Sequence, residues 1–308
     1  GYDIGLYLWS YVERDKGKLQ IDPKADAAIT QAHDSGVNVI LCLDKGNWLY
    51  RQPPRKTNWK KERIYEMMTT YYDHQGWPNE SEEMMAGYLR YVDYMVHHFK
   101  GRVAYFEICN EWPHTVSVKD YVKIVISTIE VIKNADTDAR VMLGSVNPYR
   151  GELTTDKNMS MGMAAQVHGG INQETILNCL RSGEPNIASQ IDAIGWHPWY
   201  QADPETPQYR KYRRDFEEFK TKCVALGFKG AYIASEWTWM APYPMPEHSD
   251  WPLDRWTSEM QKAKYCAQRM TADSGMGIIS LYKETFQTGR IERDCTLLRN
   301  SSFQVDPI

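Results

Sequence analysis

The chain has 308 residues, of which 42% are apolar and 25% charged, the balance of a globular protein able to bury one sizeable core. Its formal net charge of −4 offers no basic field for nucleic acid or anionic lipid, and its longest apolar runs, such as Val37 to Leu43, are far too short to span a bilayer. Six scattered cysteines show no C-x-x-C or other metal-type spacing, while 11 Trp and 20 Tyr against 7 Phe suit an aromatic-lined surface as well as ring contacts between helices and sheet.

A first strand is predicted near Tyr2–Trp9. Asp22 followed by Pro23 reads as the N-cap and first turn of a helix that Gly36 closes. A strand over Val37–Leu43 leads into a long connection, Asp44–Ser81, rich in Pro, Trp and Tyr. Met85, Tyr88, Leu89, Val92, Met95, Val96 and Phe99 then follow the rhythm of a buried helical stripe, as do Tyr121, Val125, Thr128, Ile129 and Ile132; a strand at Val103–Cys109 lies between the two stripes, and one near Arg140–Ser145 follows them. Further strands are predicted at Ile191–His197, Ala231–Glu236 and Gly277–Tyr282, with a second long aromatic connection from Trp237 to about Trp256. Strands alternating with helices, without repeat or linker, imply one parallel α/β domain over residues 1–308, a TIM-type (β/α)8 barrel. In that fold the loops after the strands form the functional face. Two long aromatic loops there predict an elongated substrate cleft, endo-acting in preference to a closed exo pocket, lined by Trp112, Trp237 and Trp239, with Trp48 and Trp77 as further candidates.

Two strands end in a glutamate followed by tryptophan: Tyr105-Phe106-Glu107-Ile108-Cys109-Asn110-Glu111-Trp112 and Ala231-Tyr232-Ile233-Ala234-Ser235-Glu236-Trp237. Either alone reads equally well as an exposed strand-end carboxylate. Together, at the mouth of one barrel, they supply what cleavage of a glycosidic bond needs. One carboxyl arrives protonated and donates to the leaving oxygen; the other arrives ionised and attacks the anomeric carbon. Glu111 and Glu236 are the candidate catalytic pair. The sequence has no glycine-rich phosphate loop, H-E-x-x-H or G-x-S-x-G, and the adjacent His97 and His98 do not share a helix face. No metal and no cofactor is expected.

From about Trp9 to Leu298 the chain resembles the catalytic barrels of clan A glycoside hydrolases, most of all family 39 and its cellulase-like bacterial relatives. Trp9-Ser10-Tyr11-Val12-Glu13 with Lys16-Gly17 is similar to the clan's stretch after strand 2. Leu43-Asp44-Lys45-Gly46-Asn47-Trp48-Leu49-Tyr50 is similar to the end of strand 3, and Glu107 through Pro113 to the Glu-Ile-Trp-Asn-Glu motif, with Cys109 in place of Trp. His197-Pro198-Trp199-Tyr200 resembles the His-Pro-Tyr of strand 6. The resemblance implies that Glu111 is the general acid/base and Glu236 the nucleophile, that Asn110 binds the sugar 2-hydroxyl and that His197 sits beside the carboxyl pair. It further implies that Trp199 or Tyr200 supplies an aromatic group near the nucleophile, that Tyr282 borders the reacting sugar, and that Asn47 belongs to the substrate-binding set. The implied activity is retaining hydrolysis of a β-linked polysaccharide or oligosaccharide through a covalent glycosyl-enzyme. A catalytically silent carbohydrate-binding barrel and a transglycosylase stay open beside it. Ile4 stands where the clan commonly has Arg, and Lys283, Glu284 or Thr285 where it often has Trp. The acid/base lies on the third predicted strand and the nucleophile on the sixth, where the clan has the fourth and seventh. The expectation is therefore that barrel strand 1 lies in further sequence before Gly1, an accessory β-domain being one candidate for the rest of it, and that the protein continues past Ile308.

Overall fold

The computed structural model describes residues 4–44, 46–50, 76–112, 116–146, 173–198, 205, 207–237 and 259–280. Six strands, β1 (Ile40–Leu43), β2 (Tyr105–Ile108), β3 (Val141–Val146), β4 (Ala193–Trp196), β5 (Ala231–Ala234) and β6 (Ile278–Ser280), form one sheet in sequence order. Every neighbouring pair is parallel, with Cys42 opposite Glu107, Glu107 opposite Met142, and Ala234 opposite Ser280. Helices alternate with them: α1 (Pro23–Asp34), α2 (Glu82–His98), α3 (Val118–Ala135), α4 (Gln173–Leu180), α5 (Pro207–Ala225) and α6 (Glu259–Gly275). This is the repeating unit of a (β/α)8 barrel, and among the described residues the sheet is not closed, since β1 and β6 do not pair.

Helix ends follow the sequence. Asp22 accepts from the Lys24 N–H at the start of α1, Ser81 from Met84 at α2 and Ser117 from Asp120 at α3, each satisfying a first-turn donor that has no helical partner. Gly36, just past α1, takes φ +75°, a conformation that costs glycine little.

Strand alternation divides the interior in two. Leu41, Leu43, Phe106, Ile108, Val141, Leu143, Ile194 and Trp196 face outward into the main core, where Tyr88, Val92, Met95 and Val96 of α2 and Tyr121, Ile124, Val125 and Ile132 of α3 meet them. Fully burying one such side chain contributes about 1.5–3 kcal/mol, so these two helix stripes anchor the sheet. Met142, Ala193 and Ile233 point the other way and form a separate small cluster with Ile40, Tyr105 and Ala231. Toward the strand C-termini the inward positions turn polar, with Glu107, Ser145 and Ser235. That gradient gathers polar side chains at one end of the sheet.

The stripe on α2 is rotated slightly from its predicted position: Met84 and Tyr91 are fully buried, whereas Met85 and Leu89 are only partly so. The strand predicted near Tyr2–Trp9 is a larger correction. Ile4–Tyr7 is a 3-10 turn and Trp9–Val12 a single helical turn. The segment seats aromatic rings against α2 instead of joining the sheet. The Trp9 ring meets Tyr50, Tyr88 and Tyr91, and the Tyr91 hydroxyl donates to the Tyr7 carbonyl at 2.7 Å.

Candidate active site

Glu111 lies just beyond β2, where the chain reverses sharply. Cys109 and Glu111 both adopt left-handed backbone, with φ of 55° and 47°. For residues with a Cβ this costs on the order of 1–2 kcal/mol each, so the surroundings must hold it. They do so from three sides. The Cys109 N–H donates to Leu43 O at 3.2 Å and the Glu111 N–H to Ser145 O at 2.9 Å. The Tyr121 hydroxyl donates to Ile108 O at 2.6 Å and accepts from the Gly144 N–H at 3.0 Å. Trp112 stacks on Tyr121 with ring centroids 4.0 Å apart, and its Nε1 donates to Gly144 O at 3.2 Å. Gly144 is required here, because a Cβ on it would lie 1.8 Å from the Cys109 carbonyl oxygen. Gly144→Ala is expected to destabilise the fold by roughly 3 kcal/mol, the upper end for overpacking since backbone rather than a side chain must move, and to displace Glu111 with it. A thermal midpoint equal to that of the unaltered protein would contradict this account.

Glu236 follows β5, where the Ser235 N–H donates to Trp196 O at 3.0 Å and extends the ladder by one residue. His197 follows β4, its N–H donating to Val146 O at 2.8 Å. The imidazole stands between the two glutamates: Nδ1 is 3.1 Å from Glu111 Oε1, and Nε2 is 3.8 Å from Glu236 Oε2. Side-chain exposure is 23% for Glu111 and 22% for Glu236 but only 3% for His197, so a substrate reaches the carboxylates and not the ring. One oxygen of each carboxylate and a ring nitrogen all lie within 4.8 Å of one another. Three such ligand atoms could hold a divalent cation. However, the ring turns a different nitrogen to each carboxylate, and a metal takes only one imidazole nitrogen. The geometry is that of a bridge between two carboxylates.

Burial alone would push the His197 imidazole down, but the hydrogen bond to Glu111 and the negative charges of Glu236, Glu111 and Glu107 outweigh it and hold its pKa above the ordinary 6.5. Its stabilising contribution is complete below 6.5 and is lost as pH rises through the raised value. A third carboxyl, Glu107, lies deeper. It accepts from the Ser145 N–H at 2.9 Å and is hydrogen-bonded to the Ser145 side chain, which accepts from Ser235 Oγ at 2.7 Å. Burial raises its pKa above the ordinary 4.5, in spite of the Ser145 hydrogen bonds and the nearby His197. A raised carboxyl is stabilising below 4.5 and loses that contribution as pH rises through the folded value. Glu107→Gln removes the loss. The thermal midpoint of the variant minus that of the unaltered protein should therefore climb as pH goes from about 4.5 toward neutrality; a difference flat with pH would remove Glu107 from this account.

The structure brings together Glu111, Glu236 and His197, with partly exposed Asn110 beside Glu111 in the chain. Three tryptophans assigned to the cleft are elsewhere. Trp112 is fully buried because the reversal at Cys109–Glu111 turns it onto Tyr121. Trp237, 1% exposed, packs beside Arg269, and Trp77 is 5% exposed. None offers a sugar-stacking face. Trp48 does, at 44% exposure. Asn47 is fully buried, its Nδ2 donating to Glu13 O at 3.0 Å and Trp9 O at 3.4 Å, so its amide holds two loops together rather than binding sugar. The same junction gathers the Glu13 carboxylate, which accepts from Trp9 Nε1 at 2.6 Å, the Gly17 N–H at 2.5 Å and the Tyr50 hydroxyl at 2.5 Å. Trp199, Tyr200, Trp239 and Tyr282, with most of both long loops, lie outside the described residues.

The fold is similar to those of clan A glycoside hydrolase structures. A family 39 glycoside hydrolase from the gut symbiont Bacteroides cellulosilyticus WH2 matches 97% of this chain with a TM-score of 0.60 at 16% identity; the chain spans only 54% of that protein's length. Xylanase 10B from Thermotoga petrophila RKU-1, solved with xylobiose, matches 98% of this chain and 80% of its own, with a TM-score of 0.55 at 16% identity. The endo-1,4-β-mannanase of Rhizomucor miehei matches 87% and 72%, with a TM-score of 0.51 at 13% identity. No family model matches the chain, and no curated protein does. At these identities the likeness establishes the barrel fold.

Proposed function

We propose that the protein is a retaining glycoside hydrolase that cleaves β-glycosidic bonds of a polysaccharide or oligosaccharide, with Glu236 as nucleophile and Glu111 as general acid/base. The observation that carries this is the pair of carboxylates on two strand ends, each offering an oxygen within 4.8 Å of the other's, with His197 between them. Retaining enzymes hold their carboxyl groups about 5–5.5 Å apart, whereas inverting ones need about 6.5–9.5 Å to admit a water. The close pair favours direct attack by Glu236 on the anomeric carbon. His197 stands between the pair, with a different ring nitrogen turned to each carboxylate. Glu111, on the other side of the ring, donates its proton to the departing oxygen. Once Glu236 is esterified its charge is gone, and Glu111 next takes a proton from the water that releases the sugar.

The xylan- and mannan-directed names among the fold neighbours make β-1,4-xylan and β-1,4-mannan, with cellulose, the first polymers to try. Reducing sugar released from one of them, or phenol from an aryl β-glycoside, should vanish in Glu236→Gln. Proton NMR should show the first product with the configuration of the substrate. Inversion at that product would sink the nucleophile assignment.

A further inference from the structure

A buried ion pair stands behind the two strand ends that carry Glu236 and His197. Arg269 on α6 and Asp273 one turn later are both fully buried. Arg269 Nε donates to the two carboxylate oxygens of Asp273 at 3.0 and 3.1 Å, and Nη2 donates to the Pro198 carbonyl at 3.4 Å. Tyr212 on α5 donates its hydroxyl to Asp273 Oδ1 at 3.0 Å. The guanidinium carbon lies 3.9 Å from the centroid of the Tyr212 ring and 5.4 Å from that of Trp237. Pro198 directly follows His197, and Trp237 directly follows Glu236.

Desolvating such a pair is expensive, and well-packed apolar residues of equal volume are commonly as stabilising, so stability alone does not account for it. Position does. We infer that Arg269 is a positioning residue: by holding the Pro198 carbonyl and the Trp237 ring at once, it fixes the chain after β4 and the chain after β5 relative to each other, and so aims His197 and Glu236. The inference rests on the reading of Glu236 as nucleophile. Arginine suits the task because its planar cation stacks between rings while its edge keeps donors free, which lysine does not offer.

The test uses two variants, Arg269→Met, which keeps the stem and loses the charge, and Arg269→Lys, which keeps the charge and loses the plane. The probes are 4-nitrophenyl and 2,4-dinitrophenyl β-glycosides of a sugar that the unaltered protein turns over, and the matching 2,4-dinitrophenyl 2-deoxy-2-fluoro glycoside. With the last, Glu236 attacks the anomeric carbon, dinitrophenolate leaves, and the stable ester is counted by mass spectrometry. The expected result is a trapping rate per folded molecule at least about tenfold lower in Arg269→Met, similar losses on both leaving groups, and partial recovery in Arg269→Lys. A lower thermal midpoint with an unchanged rate per competent site would overturn the inference, because that is what a merely structural pair predicts. Should Arg269→Met not fold, Arg269→Lys is judged by the same rate.

Failure of the functional reading looks different, since the unaltered protein would then turn over no glycoside. In that case the imidazole of His197, assigned by the signal lost in His197→Gln, is titrated by NMR. Its charged neighbours are Glu111, Glu236 and Glu107. Arg269→Lys preserves the charge at 269, so a downward shift reports carboxylates moved away and supports the inference. An unchanged titration overturns it.

Discussion

Glu236→Ala is expected to lower turnover on the order of 10⁴–10⁶-fold, the range seen when a covalent nucleophile is removed from an otherwise intact site. Added azide should restore product release, as a glycosyl azide of inverted configuration. Truncation leaves room for a small anion on the face from which Glu236 attacks, and a single displacement there inverts the anomeric centre. Glu111 is still in place to protonate the leaving group. The site should survive the change, because Glu236 is held through the backbone: the Ser235 N–H stays on Trp196 O, and Trp237 stays in its buried place beside Arg269. The measurements are turnover of a 2,4-dinitrophenyl β-glycoside and proton NMR of the azide adduct. A loss of less than about tenfold, or an adduct of retained configuration, would assign the nucleophile elsewhere.

The strands that carry the site were legible because each is a short apolar run between helical segments, and all six begin and end within about three residues of the predicted limits. The glutamates were legible for a related reason: a carboxylate at the end of a buried strand stands out against its apolar neighbours. What misled was direction. Trp112 follows Glu111 and so looked like a cleft residue, but two successive excursions into left-handed backbone around Asn110 send its ring to the outer face of the sheet. The short run at Tyr2–Trp9 looked like a strand, although the chain there coils and seats the Trp9 ring on α2. Asn47 looked available to a sugar until two carbonyls from the Trp9–Glu13 turn were found to occupy its amide. Other parts of the site leave no one-dimensional trace. Gly144, Tyr121 and the chain Ser235–Ser145–Glu107 matter only because β2, β3 and β5 lie in one register, and nothing in residue spacing announces a glycine needed for another strand's carbonyl. Arg269 is of the same kind: one more basic residue on an amphipathic helix until the fold buries it.

Glu111→Ala should produce a loss that depends on the leaving group, in contrast to Glu236→Ala. For substrates with poor leaving groups, including the natural glycan, the first step needs a proton at the departing oxygen, and removing a general acid costs about 10²–10⁴-fold. For 2,4-dinitrophenyl glycosides the leaving group departs unassisted, so the first step should proceed at nearly its former rate. The second step then becomes limiting. Water attacking the glycosyl ester has lost its base, so the ester on Glu236 should accumulate to a level that mass spectrometry detects. Azide needs no base, and it should accelerate release by attacking the ester from the face that Glu111 vacated. Two inversions in succession yield the azide of retained configuration, the opposite of the Glu236→Ala product. His197 provides an internal check, because its Nδ1 loses the carboxylate that stood 3.1 Å away, while Glu236 and Glu107 remain. Its raised pKa should fall in the variant. Equal losses on 4-methylphenyl and 2,4-dinitrophenyl glycosides would show that Glu111 is not the proton donor, however close to Glu236 it stands.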